Sequence, residues 1–120
     1  MTFLAALLVA TTSLHITVWP NGQASMPKRT YTLQCAPVGG TLPGRAAACR
    51  KLMTMVRPFR PTPRNVACTD IYGGPQEARV TGRLRGRSVR ADFGRKNGCE
   101  LARWNRVAFL FPVSLSAQRR

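Results

Sequence analysis

Four cysteines constrain this chain of 120 residues more than any other feature of its sequence. An even number of cysteines in so short a chain is typical of two disulfides formed in an oxidising compartment. The sequence contains no Cys-x-x-Cys pair and a single histidine, so the spacing is not that of a zinc site. We therefore expect two disulfides, no metal and no cofactor. Four cysteines allow three pairings, and their spacing alone does not select one of them.

The length limits the chain to one small domain, in which only about two thirds of the surface exposed by the unfolded chain is buried. No apolar run approaches the roughly 18 residues of a membrane-spanning helix, so neither a membrane-embedded protein nor a membrane partner is expected. Residues 1–10 contain an apolar run, which we interpret as a truncated secretory signal in preference to an ordinary apolar N-terminus. A domain over residues 11–113 and a basic tail over residues 114–120 follow, and we expect a secreted, extracellular protein.

Charge is the second unusual property of the sequence. Nineteen Lys and Arg against four Asp and Glu give a formal net charge of +15, which attracts polyanions without specifying a fold. Strand alternation places Arg83, Arg85 and Arg87 on one side of a predicted hairpin, in a stripe that suits phosphate groups. A solvated strand face that prevents edge-to-edge aggregation produces the same pattern. Polyanion or nucleic-acid binding is therefore the alternative function, not the first one.

Hydrophobic periodicity predicts most of a sheet. Apolar residues alternate with polar ones in two segments near the start of the chain and in a hairpin near its middle. A further apolar run without alternation, residues 107–111, predicts a final central strand. The four alternating segments are residues 14–19, 31–35, 78–84 and 87–93.

One helix is predicted after the second strand. Residues 45–56 are mostly good helix formers, and their apolar side chains recur every three or four residues. The order of elements predicts an α+β fold with a mostly antiparallel sheet and a helix on one face. The predicted buried stripe of the helix is Ala48, Cys49, Leu52 and Val56.

The segment around Cys68 is extended, with prolines before it and Gly-Gly-Pro after it. A disulfide at Cys68 would tie an exposed loop to the core, which lowers the cost of ordering that loop when a partner binds it. A loop whose disulfide serves only to stabilise the fold has the same pattern. The residues alone therefore do not distinguish a binding loop from a purely structural one.

Catalytic motifs are missing from the sequence. It has four carboxylates and one histidine, but no Gly-rich phosphate loop, no Gly-x-Ser-x-Gly and no His-Glu-x-x-His. Catalysis needs a nucleophile, a base and a stabilising group that converge. We therefore predict that the protein is not an enzyme.

A longer motif surrounds the first two cysteines. Residues 35–52 are Cys-Ala-Pro-Val-Gly-Gly-Thr-Leu-Pro-Gly-Arg-Ala-Ala-Ala-Cys-Arg-Lys-Leu. This segment resembles the signature of the Streptomyces-type subtilisin inhibitor family, which is Cys-x-Pro, a short gap, Gly-x-His-Pro, a spacer, Ala-Cys and x-x-Leu. Leu42 stands where the family usually has His, and Arg50 replaces a small or acidic residue. The similarity continues through residues 68–72, 82–86, 97–99 and 109–111.

The resemblance implies a five-stranded antiparallel sheet with two helices packed on one face, and homodimers formed sheet to sheet. It also implies that Cys35 pairs with Cys49 and that Cys68 pairs with Cys99. Loops of this size correspond to about 3 to 4 kcal/mol of stability for each disulfide. Family members inhibit secreted serine proteases with a rigid, substrate-like loop that is cleaved slowly and reversibly.

By position, the resemblance implies that the reactive bond is Asp70–Ile71, with Asp70 as P1, the residue that enters the S1 pocket of the protease. Asn97 matches the family residue that braces the loop. Subtilisin-like S1 pockets are largely apolar, and an ionised carboxylate would lose its hydration there. The implied partner is therefore a secreted serine protease that is either subtilisin-like or specific for acidic residues. The remaining residues of the implied protease-binding loop are Ala67, Cys68, Thr69, Tyr72 and Gly73.

Overall fold

The computed structural model describes residues 11–113, so the predicted signal and the basic tail lie outside the described residues. Within these residues, five strands form one antiparallel sheet in the order β3-β2-β1-β4-β5, and there are two α-helices. This confirms the fold that the resemblance implies. The strands are β1 (Thr12–Trp19), β2 (Arg29–Cys35), β3 (Gly39–Gly40), β4 (Glu77–Leu84) and β5 (Arg87–Phe93), and the helices are α1 (Arg45–Met53) and α2 (Gly98–Arg106).

Strand β1 lies at the centre of the sheet and carries the core. Its residues Leu14, Ile16 and Val18 are buried, while the residues between them are exposed or half-buried, as the period-two pattern predicts. Leu52 of α1 and Trp104 of α2 are buried in the same core, so both helices cover one face of the sheet. Within residues 11–113, no helix has both the length and the apolar character needed to cross a membrane.

The prediction of a strand over residues 107–111 is wrong. These residues follow α2 directly and form a 3-10 turn at Ala108–Leu110. Val107, Leu110 and Phe111 are buried at helical spacing, and the Phe111 ring lies 4.7 Å from that of Trp104. A run of consecutive apolar residues fits a buried strand or a buried helical turn equally well. The two-residue β3 completes the five strands instead.

The predicted buried stripe of the first helix is too long by one residue. Helix α1 ends at Met53, and Val56 is 85% exposed beyond it. The carbonyl groups near the end of α1 accept hydrogen bonds from Arg85, whose guanidinium donates to Leu52 O, Met55 O and Val56 O at 2.8–3.2 Å. A cation there also interacts favourably with the C-terminal end of the helix dipole.

The predicted arginine stripe does not form. Arg85 occupies the two-residue turn between β4 and β5 with φ 50°, and its side chain is used by the end of α1. Leu84, which is buried, pairs with Arg87, so Arg87 lies on the core side of the hairpin, whereas Arg83 pairs with Ser88 and lies on the open side. Alternation fails because the turn interrupts the strand. The homodimer that the resemblance implies remains a prediction.

Candidate functional site

The segment between α1 and β4 presents an exposed loop. Residues 66–74 form neither helix nor strand, and every residue from 63 to 72 is exposed. Ile71 is 56% exposed and Tyr72 is 66% exposed, although such side chains normally favour burial. The surface of the loop therefore offers apolar side chains to a partner.

The chain that precedes Asp70 is fixed to the start of α2 at two adjacent residues. Cys68 forms a disulfide with Cys99, with the two Cα atoms 5.3 Å apart. The Gly98 N–H donates a hydrogen bond of 2.9 Å to the Thr69 carbonyl. Only one residue separates these contacts from the Asp70–Ile71 bond.

The chain that follows Ile71 is fixed to the segment just before α2. The Gly73 N–H donates to the Arg95 carbonyl at 2.6 Å, and Arg95 Nε donates to the Gly73 carbonyl at 3.2 Å. The Arg95 guanidinium also lies over the ring of the buried Trp104, 5.4 Å from its centroid. Burial lowers the pKa of Arg95, so packing against the core has replaced part of its hydration.

Two glycines permit this close approach. A Cβ at Gly98 would collide with Thr69 Oγ1, and a Cβ at Gly73 would collide with Leu101 Cδ2. The Cβ at Gly73 would also lie 3.1 Å from the Arg95 carbonyl oxygen, so glycine lets the loop approach these neighbours without displacing them. The residues on either side of the Asp70–Ile71 bond therefore rest on one rigid platform, residues 95–101.

Asn97 acts on the platform and not directly on the loop. Its Oδ1 accepts a hydrogen bond of 2.9 Å from the Glu100 N–H, which makes Asn97 the N-cap of α2. Glu100 Oε1 accepts a further hydrogen bond of 2.8 Å from the Lys96 N–H. These two contacts fix the first turn of α2. Gly98, which holds Thr69, is the first residue of that turn.

The Asp70 carboxylate is free to meet a partner. Within residues 11–113 the only ion pair is that of Arg79 with Asp92, so the Asp70 carboxylate forms no ion pair in the described part of the chain. Its backbone is held on both sides, while its side chain is exposed. A partner with a cationic or hydrogen-bonding pocket could receive this carboxylate without breaking any contact of the loop.

The other disulfide lies in the core. Cys35 at the end of β2 is joined to Cys49 of α1, with the Cα atoms 5.7 Å apart. The pairing of all four cysteines is the one that the resemblance implies, and two disulfides are consistent with an extracellular protein.

Comparison with known proteins decides the family. The family model described as subtilisin inhibitor-like matches residues 10–96. The chain belongs to the subtilisin inhibitor-like family. The match covers the whole sheet, α1 and the exposed loop, so the similarity extends far beyond the motif around the first two cysteines. A search of the curated proteins found no significant match.

A solved structure shows the same fold as this subtilisin inhibitor-like chain. It is the crystal structure of Streptomyces caespitosus sermetstatin in complex with Bacillus licheniformis subtilisin. The alignment has a TM-score of 0.54 and 24% sequence identity, and it covers 85% of this chain and 98% of the other. The shared architecture agrees with the sheet and helices described above.

Sequence patterns missed two residues that hold the loop of this subtilisin inhibitor-like chain. The sequence does indicate a special role for Gly98, because glycine is a poor helix former and yet stands directly after the cap residue of α2. The sequence gives no such indication for Arg95, since it is one of many arginines in a strongly basic chain. Its role depends on the packing of Trp104, which only the folded chain shows.

Proposed function

We propose that this protein is a secreted inhibitor of serine endopeptidases, with Asp70–Ile71 as its reactive bond. The observation that carries the proposal is the attachment of both sides of that bond to residues 95–101. Membership in the subtilisin inhibitor-like family and the fold shared with sermetstatin, which is described in complex with subtilisin, support it. Oxidised cysteines support secretion.

Rigid attachment explains inhibition in physical terms. A substrate loses conformational entropy when a protease orders it, whereas this loop has lost that entropy before it binds. If the Asp70–Ile71 bond is cut, the Cys68–Cys99 disulfide holds one new end and the Gly73–Arg95 hydrogen bonds hold the other. The two ends stay close together, so the high effective concentration favours resynthesis of the bond over departure of the product.

The acidic P1 residue selects the target class. An S1 pocket that carries a cation or several hydrogen-bond donors would satisfy the Asp70 carboxylate, whereas an apolar pocket would leave it without a partner. We therefore propose that the natural targets are serine proteases that cleave after acidic residues.

Inhibition constants test this proposal. A glutamate-specific serine endopeptidase and a subtilisin are titrated with the natural chain under identical conditions. We expect the glutamate-specific enzyme to be inhibited at least about tenfold more strongly, since each 1.4 kcal/mol changes affinity tenfold. If neither enzyme is inhibited, the proposed function is wrong.

The variant Gly98→Ala tests whether the platform, and not only the loop sequence, produces inhibition. The added Cβ collides with Thr69 Oγ1, so the Thr69 side chain must rotate or the loop must move away from α2, and either change alters the surface offered to the protease. We expect binding of the protease to weaken by about tenfold or more and cleavage of the loop to accelerate. Alanine is a better helix former than glycine, so α2 itself should remain stable.

The double variant Gly98→Ala with Thr69→Ala is the matched control. It removes the hydroxyl group with which the new methyl group collides. Relative to Thr69→Ala alone, the double variant should therefore recover most of the inhibition. If Gly98→Ala weakens inhibition equally in both backgrounds, the collision with Thr69 is not the cause and the role of the platform is refuted.

A further inference from the structure

A second concave surface lies away from the reactive loop. It is a cleft of about 810 Å³ between the β4–β5 hairpin and the segment 56–61. Phe59, Leu84 and Val89 give it an apolar floor. Volumes of this order and an apolar lining with a few polar groups are typical of binding sites.

Two arginines join the two sides of the cleft at its ends. At one end Arg85 joins the turn of the hairpin to Val56, and at the other Arg103 donates to both Arg60 O and Asp92 O, at 3.0 and 2.8 Å. The segment 56–60 therefore runs beside β5 from one end to the other. An extended chain alongside residues 87–92 of β5 would be about 17 Å long.

Among residues 11–113, no strand pairs with the edge of β5 that faces away from β4, and this edge lies beside the cleft. The two-residue turn is closed by a hydrogen-bonded pair of residues, Leu84 and Arg87. Hydrogen-bonded and non-hydrogen-bonded pairs alternate along an antiparallel ladder. In β5, therefore, Arg87 and every second residue after it direct their backbone N–H and C=O groups toward β4. Ser88 and Arg90 direct theirs toward the free edge. Asp92, two residues after Arg90, should direct its carbonyl group the same way. This carbonyl accepts a hydrogen bond from Arg103 and not from β4, which agrees with the alternation. An exposed edge of this kind is a template for an added strand.

The charge of the cleft specifies what it can accept. Arg57, Arg60 and Arg87 line it and are exposed, and none of its lining residues is Asp or Glu. In the described part of the chain none of these three arginines has a carboxylate partner, because the only ion pair is that of Arg79 with Asp92. Unpaired guanidinium groups beside an apolar floor suit a ligand that has both carboxylates and apolar side chains.

We propose that this cleft binds an extended acidic segment of a partner protein, which adds to β5 as a further strand. Its backbone pairs with Ser88 and Arg90. On the side that faces the cleft it carries apolar side chains, which cover Phe59 and Val89, and also carboxylates, which meet Arg57 and Arg87. The site is separate from Asp70 and does not depend on protease inhibition, so the variant Asp70→Met should leave its affinity unchanged.

Fluorescence anisotropy with a labelled peptide, Ser-Glu-Ser-Val-Ser-Glu-Ser, tests the proposal, because its two Glu and its Val share one face of a strand. We expect the triple variant Arg57→Gln, Arg60→Gln, Arg87→Gln to weaken binding at least about tenfold. The control triple variant Arg29→Gln, Arg45→Gln, Arg50→Gln loses the same charge at exposed positions away from the cleft. It should weaken binding by less than about threefold. Equal losses in the two triple variants would show attraction by net charge alone and would overturn the proposal.

Two further probes separate strand addition from other modes of binding. Two versions of the peptide are made, each methylated on every second backbone nitrogen, one on the odd-numbered and one on the even-numbered residues. Both keep the charge and the side chains of the parent peptide. One pattern should bind at least about tenfold more weakly, because it removes the N–H groups that face β5. Equal affinity of both methylated peptides and the parent would contradict strand addition. A six-nucleotide single-stranded DNA is tested as a competitor of the peptide. If the DNA displaces the peptide, and if the cleft triple variant weakens DNA binding as much as peptide binding, the cleft is a general polyanion site and the proposal is overturned.

Discussion

The variant Asp70→Met is expected to inhibit subtilisin at least about 100-fold more tightly than the natural chain. The Asp70 side chain is exposed, and the loop is held by Cys68, Thr69 and Gly73, so the substitution changes the group offered to S1 without changing the platform. An ionised carboxylate in an apolar pocket costs several kcal/mol. A difference of about 3 kcal/mol corresponds to roughly 100-fold in the inhibition constant.

The same substitution should have the opposite effect on a glutamate-specific enzyme. Methionine leaves the polar groups of an acid-binding pocket without a partner, and inhibition should weaken by a similar factor. The variant Asp70→Asn has the shape of aspartate without its charge and serves as the control that separates charge from size. If neither substitution changes either inhibition constant by more than about twofold, Asp70 does not enter the S1 pocket.

Removal of the loop disulfide should turn the inhibitor into a substrate. In the double variant Cys68→Ser, Cys99→Ser the chain before Asp70 keeps only the Thr69–Gly98 hydrogen bond. The 31-residue separation of the two cysteines corresponds to about 3.7 kcal/mol of unfolding free energy in the chain-entropy estimate. We expect a loss of this order in urea unfolding, and cleavage of the loop at least about 100-fold faster than in the natural chain.

The double variant Cys35→Ser, Cys49→Ser is the matched control, because it removes a disulfide that joins β2 to α1 and does not touch the loop. Its 14-residue separation corresponds to about 3.0 kcal/mol of stability. Below its melting temperature this variant should inhibit as the natural chain does. Inhibition lost to the same extent in both double variants would mean that global stability, and not the attachment of the loop, sets the inhibition constant.

The central part of the sheet could be predicted from the sequence because one face of it is buried and the other is open. Leu14, Ile16 and Val18 alternate with residues that face the solvent, and this pattern fixes strand β1. The hairpin was predicted for the same reason. The apolar run at the end of the domain has no alternation, so periodicity could not distinguish the turn after α2 from a strand.

The candidate site was predictable only in part. The cysteines and the extended segment marked the loop, but the pairing of Cys68 with Cys99 came from the resemblance, because spacing leaves three pairings open. The contacts of Arg95 and Arg85 depend on tertiary packing: one guanidinium lies over Trp104 and the other meets the end of α1. A sequence in which arginine is abundant gives no sign of which arginines are used in this way.

The most direct test of the proposed function is to identify the bond that a target protease cuts. The natural chain is incubated with a small amount of a glutamate-specific serine endopeptidase, and intact mass and N-terminal sequencing are followed to equilibrium. We predict one new N-terminus, at Ile71, in a species heavier by one water whose two parts remain joined by the Cys68–Cys99 disulfide. The same ratio of cut to intact chain should be reached from either form. A first cut at any other bond, or steady degradation without an equilibrium, would contradict the proposed function.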